Sequence, residues 1–175
     1  MIGGIFMSLG SVIILRLSWS SLSNPQSHGY PRFFAFEAIL GLLVLNTPYW
    51  FTEPLVPRQI LSWVLLLASL YLVISGYYLL RTAGHAVGGD WEHTTNLIQH
   101  GIFRYIRHPL YASLFYLAWG AALKHPERIS LMLASMATVF LIFTMQNEEA
   151  ENLDRFGKPY ENYMGETKRL VPGIF

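Results

Sequence analysis

Residues 61–80 read LSWVLLLASLYLVISGYYLL, twenty consecutive residues without a single charge. A run of that length matches the roughly 20 residues needed to cross the hydrocarbon core of a bilayer. No water is available there to satisfy backbone N–H and C=O groups, so such a segment must satisfy them internally, as a helix. Arg81 closes the run at its C-terminal end. A chain built around this stretch is constrained to an all-α, lipid-embedded architecture. Composition agrees: 53% of residues are hydrophobic and 13% charged, against roughly 25% charged in soluble domains.

Four further apolar stretches flank this one, at residues 2–19, 33–50, 110–123 and 129–145. The expectation is an integral membrane bundle of about five transmembrane helices. The first stretch lacks a basic n-region and a small-x-small cleavage site, so it reads as a retained helix rather than a signal peptide. Arg16 sits near its end and can snorkel. Glu37 lies inside the second stretch and must face protein or the interface. Pro48, Pro54 and Pro57 interrupt the chain before the third. The segments 110–123 and 129–145 read as a helical hairpin turned at 124–128. One domain, 1–175, is expected, with N-terminal helices and a loop over 1–94 and a core over 95–175.

Five crossings place the basic residues unevenly. With Arg16 left out, one side receives Arg32, Arg81, Arg104, Arg107, Arg155, Lys158, Lys168 and Arg169, which is eight; the other receives Arg58, Lys124 and Arg128, which is three. The positive-inside rule then puts the C-terminus and the residues around Arg107 in the cytoplasm. A net charge of +1 argues against nucleic acid as a partner. The chain contains no cysteine, which excludes disulfides, thiolate metal sites and a cysteine nucleophile.

The chemistry-bearing stretch is Gly101-Ile102-Phe103-Arg104-Tyr105-Ile106-Arg107-His108-Pro109-Leu110-Tyr111. Pro109 suits the first turn of a helix, which places Arg107 and His108 at its N-terminal mouth. Backbone N–H groups there favour a carboxylate or another polar ligand. Alone, the stretch also reads as a basic membrane boundary, with Arg104 and Arg107 snorkelling to lipid phosphates. Farther on come Glu148-Glu149 and Phe156-Gly157-x-x-Tyr160-x-x-Tyr163.

Taken together, Gly-x-(Phe/Tyr)-x-x-x-Arg-His-Pro-x-Tyr, the hydrophobic hairpin, the Glu pair and Phe-Gly-x-x-Tyr-x-x-Tyr resemble the membrane-embedded methyltransferases. These are typified by isoprenylcysteine carboxyl methyltransferase and the related phospholipid N-methyltransferases. The resemblance spans roughly residues 95–172. It implies an S-adenosylmethionine-dependent enzyme with a cytoplasmic cofactor pocket and a lipophilic acceptor in the membrane: a prenylcysteine-like carboxylate, a lipid amine or a thiol. It implies cofactor contacts from Thr95, Asn96, Leu97, Ile98, Phe103, His108, Pro109, Leu110, Tyr111 and Glu148. A scaffold that binds a lipid or protein partner without catalysis is the rival expectation.

Two departures bear on the acceptor. Isoprenylcysteine methyltransferases carry an arginine four residues before the cofactor Glu, and some relatives carry one two residues before it. Here those positions are Thr144 and Gln146, neither of which can pair bidentately with a carboxylate. The substrate side is therefore read from Arg107, Thr144 and Gln146, and a neutral acceptor is favoured. A thiol or protonated amine needs a base, for which His108, Glu149 and His100 are candidates; Glu149 and Glu151 also read as a solvated face with a Glu151–Arg155 pair. The histidines His85, His93, His100 and His108 do not recur on one helix face, so no metal is expected. The glycines at 84, 88 and 89 do not follow a strand, so no Rossmann loop is expected.

Overall fold

The computed structural model describes residues 2–84 and 94–175. His85, His93, Gly88 and Gly89 lie outside the described residues. Six α-helices account for most of the described chain: α1 (Ile2–Leu22), α2 (Gly29–Asn46), α3 (Pro57–Ala83), α4 (Pro109–Ala122), α5 (Arg128–Phe156) and α6 (Lys158–Glu166). Short 3-10 turns, Thr47–Tyr49 and Gly101–Arg104, follow α2 and precede α4. The all-α class is as the apolar runs require.

Three of the helices are long and apolar enough to cross a bilayer: Gly3–Leu22, Pro57–Ala83 and Arg128–Phe156. The other two expected crossings fall short of that standard. Helix α4 has 14 residues, about 21 Å at the helical rise, which is less than the roughly 30 Å hydrocarbon core. Helix α2 has 18 residues and includes Arg32 and Glu37. Glu37 is answered from α1, where Ser11 Oγ donates to its Oε2 at 2.7 Å.

Helix α3 packs along α4, α2 along α5, and α1 along α2. One core cluster joins Ala38, Ile39 and Leu42 of α2 to Ala118, Ala121 and Ala122 of α4 and Ala134 and Ala137 of α5. Alanines at these contacts let helix backbones approach closely, which is how helices associate where lipid removes the hydrophobic drive. Gly76 serves the same end between α3 and α4: a Cβ there would lie 3.1 Å from Pro109 Cγ. The outward faces stay apolar, with Val64, Leu67, Tyr71 and Ile74 of α3 and Met132, Val139 and Phe143 of α5 exposed. In water such a surface would be costly; against acyl chains it is solvated.

The second core cluster positions the chemistry. It brings together Ala35, Leu72, Tyr111, Leu141 and Met145 with Ile106 and Leu170, from the segments before α4 and after α6. Ile106 and Lys168 form a parallel bridge. The Arg107 N–H donates to Lys168 O at 2.8 Å and the His108 N–H to Arg169 O at 3.3 Å. The C-terminal tail thus runs beside the Arg-His-Pro stretch. At the other end of the bundle, the turn between α4 and α5 exposes Glu127 and Arg128 but begins on a buried lysine. Lys124 is fully buried, with its Nζ 3.6 Å from the Trp63 ring centroid and 3.1 Å from Gln59 Oε1.

Candidate active site

Pro109 opens α4, and His108 before it is neither helical nor extended, with φ −122° and ψ 62°. Arg107 and His108 both turn from the helix mouth to Glu149. Arg107 reaches Glu149 of α5, Nε to Oε1 at 2.6 Å, and its Nη1 donates to Thr167 O at 2.5 Å and Met164 O at 3.3 Å. It does not snorkel. Arg169 from the tail meets the same carboxylate, Nη2 to Oε2 at 2.6 Å and Nε to Oε1 at 3.0 Å. His108 Nε2 lies 3.2 Å from Glu149 Oε1. Two guanidiniums and an imidazole therefore surround one buried carboxylate, which holds the Arg169 guanidinium's pKa above its ordinary value. Glu149 is a buried anchor, not part of a solvated face, and it is not among the residues that line the neighbouring cavity.

Beside this anchor lies a cavity of about 550 Å³, inside the roughly 300–1,000 Å³ range of small-molecule sites. Of the residues that the motif resemblance assigns to the cofactor, Asn96, Leu97, Ile98, Phe103, His108, Pro109, Leu110, Tyr111 and Glu148 line it. Thr95 does not, whereas its neighbour Thr94 does; the Thr95 N–H is bonded to Gly84 O at 3.0 Å. Glu148 and Glu149 are adjacent in sequence, yet a helix turns about 100° per residue. Only Glu148 faces the cavity, with Oε1 3.8 Å from His108 Nδ1.

The substrate-side reading divides. Arg107 lines the cavity with Nε and Nη1 engaged as described. Thr144 and Gln146 do not line it: Thr144 is fully buried and bonds back to Phe140 O at 2.8 Å, and Gln146 is exposed. His100 is also exposed and outside the lining.

Several lining residues were given no site role from the sequence: Leu17 and Ser18 of α1, His28, Arg32 and Phe36 at α2, Glu151, Asn152 and Arg155 of α5, and Tyr160 and Tyr163 of α6, which entered only as part of the motif. A signal existed for some of them. Glu148, Glu151, Asn152 and Arg155 follow i, i+3, i+4, i+7 spacing, one face of a helix, and Tyr160 and Tyr163 follow i, i+3. Glu151 turns to His28, Oε2 to Nδ1 at 2.7 Å, rather than to Arg155. Tyr163 donates to Phe103 O at 2.6 Å. Burial raises the phenol pKa of both Tyr160 and Tyr163, so they stand as neutral walls and donors. Gly157, at φ 61°, makes the turn that sends α6 back to cover this side.

The cavity thus combines an unburied carboxylate, an imidazole, arginines and an aromatic lining at the mouth of a helix within an apolar bundle. A family profile described as phospholipid methyltransferase matches residues 57–159. The chain belongs to that family. Curated relatives are methyltransferases: the methanethiol S-methyltransferase of Crocosphaera subtropica is 28% identical over 98% of this chain and 72% of its own length. That of Pseudomonas deceptionensis is 27% identical over 97% of this chain and 58% of its own. The methanethiol S-methyltransferase 1 of Bradyrhizobium diazoefficiens is 24% identical over 67% of this chain and 41% of its own.

As a phospholipid methyltransferase family member with three long apolar helices, the chain is a membrane protein. The family match covers the cavity wall from Leu80 to Phe156 but not the residues contributed by α1 and α2, nor Tyr160 and Tyr163.

Proposed function

We propose that this protein transfers a methyl group from S-adenosylmethionine to the sulfur of a small lipophilic thiol, in a site opening at the cytoplasmic face of the membrane. The residues present fit the cofactor. Glu148 offers a carboxylate for its ammonium or sulfonium, and Arg32 and Arg155 offer cations for its carboxylate. Helix α4 opens at Pro109 with its N-terminal end at the cavity, and such an end suits a polar or anionic ligand. Phe103, Tyr111 and Phe156 offer flat apolar surface for a base. All of these line the cavity.

When bound, S-adenosylmethionine supplies an electrophilic methyl group on a cationic sulfur. The protein's part is alignment and exclusion of water, because an in-line displacement depends on near-attack geometry. Leu17, Phe36, Leu110 and Leu114 give the cavity apolar walls suited to an uncharged acceptor. His108 is held in one orientation by Glu149.

The observation that carries this reading is the joint presence, in one cavity, of Glu148, the Arg-His-Pro-x-Tyr helix start and apolar walls. The relatives named for methanethiol support sulfur as the acceptor atom. Thr144 and Gln146, at the two places where relatives carry an acceptor-binding arginine, lie outside the cavity and offer no cation to an acceptor carboxylate. The test uses purified protein in lipid nanodiscs with methyl-labelled S-adenosylmethionine and, in parallel, methanethiol, a lipid amine and N-acetyl-farnesylcysteine. Label is expected in dimethyl sulfide. Label appearing only in the amine or the methyl ester would overturn the sulfur assignment; no cofactor binding at all would overturn the enzyme reading.

A further inference from the structure

We propose that the corner between α1 and α2 seats the wall that selects the acceptor, and that Asn147 and Glu151 of α5 are the residues that position it. This deepens the thiol reading given above and rests on it.

The corner, residues 23–28, lies outside the stretch matched by the family profile. It is braced from within. Ser27 Oγ donates to Ser21 O at 3.2 Å and to Asn24 O at 2.9 Å. The Ser27 N–H donates to Asn24 O at 3.0 Å, and the Gln26 N–H to Asn24 Oδ1 at 3.1 Å. Gly29 lets the two helices close on this turn, since a Cβ there would run into the Ser21 side chain. A turn with so many local bonds moves as one piece.

Three bonds fix that piece to α5. Glu151 Oε1 accepts from the His28 backbone N–H at 3.1 Å, and its Oε2 lies 2.7 Å from His28 Nδ1. Asn147 Nδ2 donates to Ser27 O at 3.3 Å. Asn147 and Glu151 stand four positions apart and so share one side of a helix. Glu148, the carboxylate assigned to the cofactor, lies between them in the chain. One turn of α5 therefore sets the corner's place relative to the cofactor's binding group.

The helices on either side carry that placement into the cavity. Leu17 and Ser18 of α1 and Phe36 of α2 line it. Leu17 does so while 78% exposed, so this wall runs from the cavity to the lipid, the side from which a lipophilic acceptor arrives. Helix α1 packs chiefly on α2, so the seat of its cavity end passes through the corner. In-line methyl transfer requires the acceptor sulfur to be held in a narrow geometry. A wall fixed relative to Glu148 admits limited bulk beside that sulfur; a loosened wall admits more bulk and holds every thiol less well. Apolar pockets discriminate by about tenfold or more for a single methylene.

The experiment uses the protein in nanodiscs with methyl-labelled S-adenosylmethionine and compares ethanethiol with tert-butanethiol, which is branched next to its sulfur. In Asn147→Ala and in Glu151→Ala the KM for ethanethiol is expected to rise about tenfold, the loss of one or two hydrogen bonds. The preference for the straight thiol should fall by about the same factor, and cofactor affinity by calorimetry should change less than the thiol KM. Glu151→Gln still accepts from the His28 N–H and should keep most of the preference. Phe36→Ala, a change in the wall itself, should lower the preference as well. A second readout needs no turnover. Spin labels on cysteines introduced at Gln26 and Asp154, both exposed, should give one narrow distance in the cofactor-free parent and a broader distribution in either alanine variant. Distances unchanged in both variants would overturn the positioning role. A preference that stays intact while the distances broaden, or equal losses for both thiols and the cofactor, would overturn the selecting role; each of these leaves thiol methylation standing. A parent protein that methylates an amine or a carboxylate but no thiol would remove the underlying reading and this proposal with it.

Discussion

Arg169 holds Glu149 with two nitrogens, Nη2 to Oε2 at 2.6 Å and Nε to Oε1 at 3.0 Å, and so ties the C-terminal tail to the middle of the site. Arg107 holds the same carboxylate from the segment ahead of α4. The three side chains link a loop, a long helix and the tail.

This triad sets the first prediction. Glu149→Leu leaves two guanidiniums without their shared anion, in a place where Glu149 is 3% exposed. Loss of one member of a buried ion pair costs about 3–5 kcal/mol. Arg169→Leu removes one of the two guanidiniums, itself partly exposed, while Arg107 stays, so a smaller loss of about 1.5–3 kcal/mol is expected, the range for hydrogen bonding to a charged group. Unfolding midpoints in detergent should fall in that order. A Glu149→Leu variant as stable as the parent would contradict the anchor role.

Glu148 points the other way and should behave differently. Its side chain is 29% exposed and lines the cavity. Glu148→Ala is expected to fold normally but to bind S-adenosylmethionine about tenfold to a hundredfold more weakly, the loss of one charge-assisted hydrogen bond. Calorimetry with both variants separates the neighbours, and an unaltered affinity in Glu148→Ala would reassign the cofactor contact.

Counted over five crossings, the asymmetry of eight basic residues against three predicts the sidedness. Cysteines introduced one at a time at Gly165 and at Glu127 should label on opposite sides in intact cells, with Gly165 inside. The absence of native cysteine leaves no background. Labelling of Gly165 from outside would invert the topology and the placement of the cavity.

Lys124 gives a pH-dependent expectation. Burial lowers its pKa below the ordinary 10.5, so the unfolded chain binds this proton more tightly than the native one. Stability therefore rises with pH through the interval from the lowered native value up to 10.5. Lys124→Met keeps the apolar stem against Trp63 and should flatten that alkaline rise. Melting temperatures measured from neutral to alkaline pH check it; a slope unchanged by the substitution would locate the effect elsewhere.

The architecture was largely legible from local sequence. A twenty-residue uncharged run admits few solutions other than a lipid-facing helix, and Pro57 and Pro109 mark the starts of α3 and α4. The number of full crossings was not legible in the same way. Helix α4 is apolar but short, and α2 carries charges whose cost depends on what α1 offers them.

Within the site, the Gly101–Tyr111 stretch and Glu148 were visible because their spacing is local. The separate destinies of Glu148 and Glu149 were not. A helix presents adjacent residues about 100° apart, and nothing in the pair itself says which one meets Arg107 and Arg169. His28 lies 123 positions from Glu151, and Lys124 is buried by Trp63 and Gln59 from α3. Sequence alone determined the solvent, the helices and the motif that opens α4, because these follow from hydropathy and backbone chemistry over short stretches. The tertiary structure decided which charges became anchors and which face the cavity, because that depends on which distant segments packing brings within hydrogen-bonding reach.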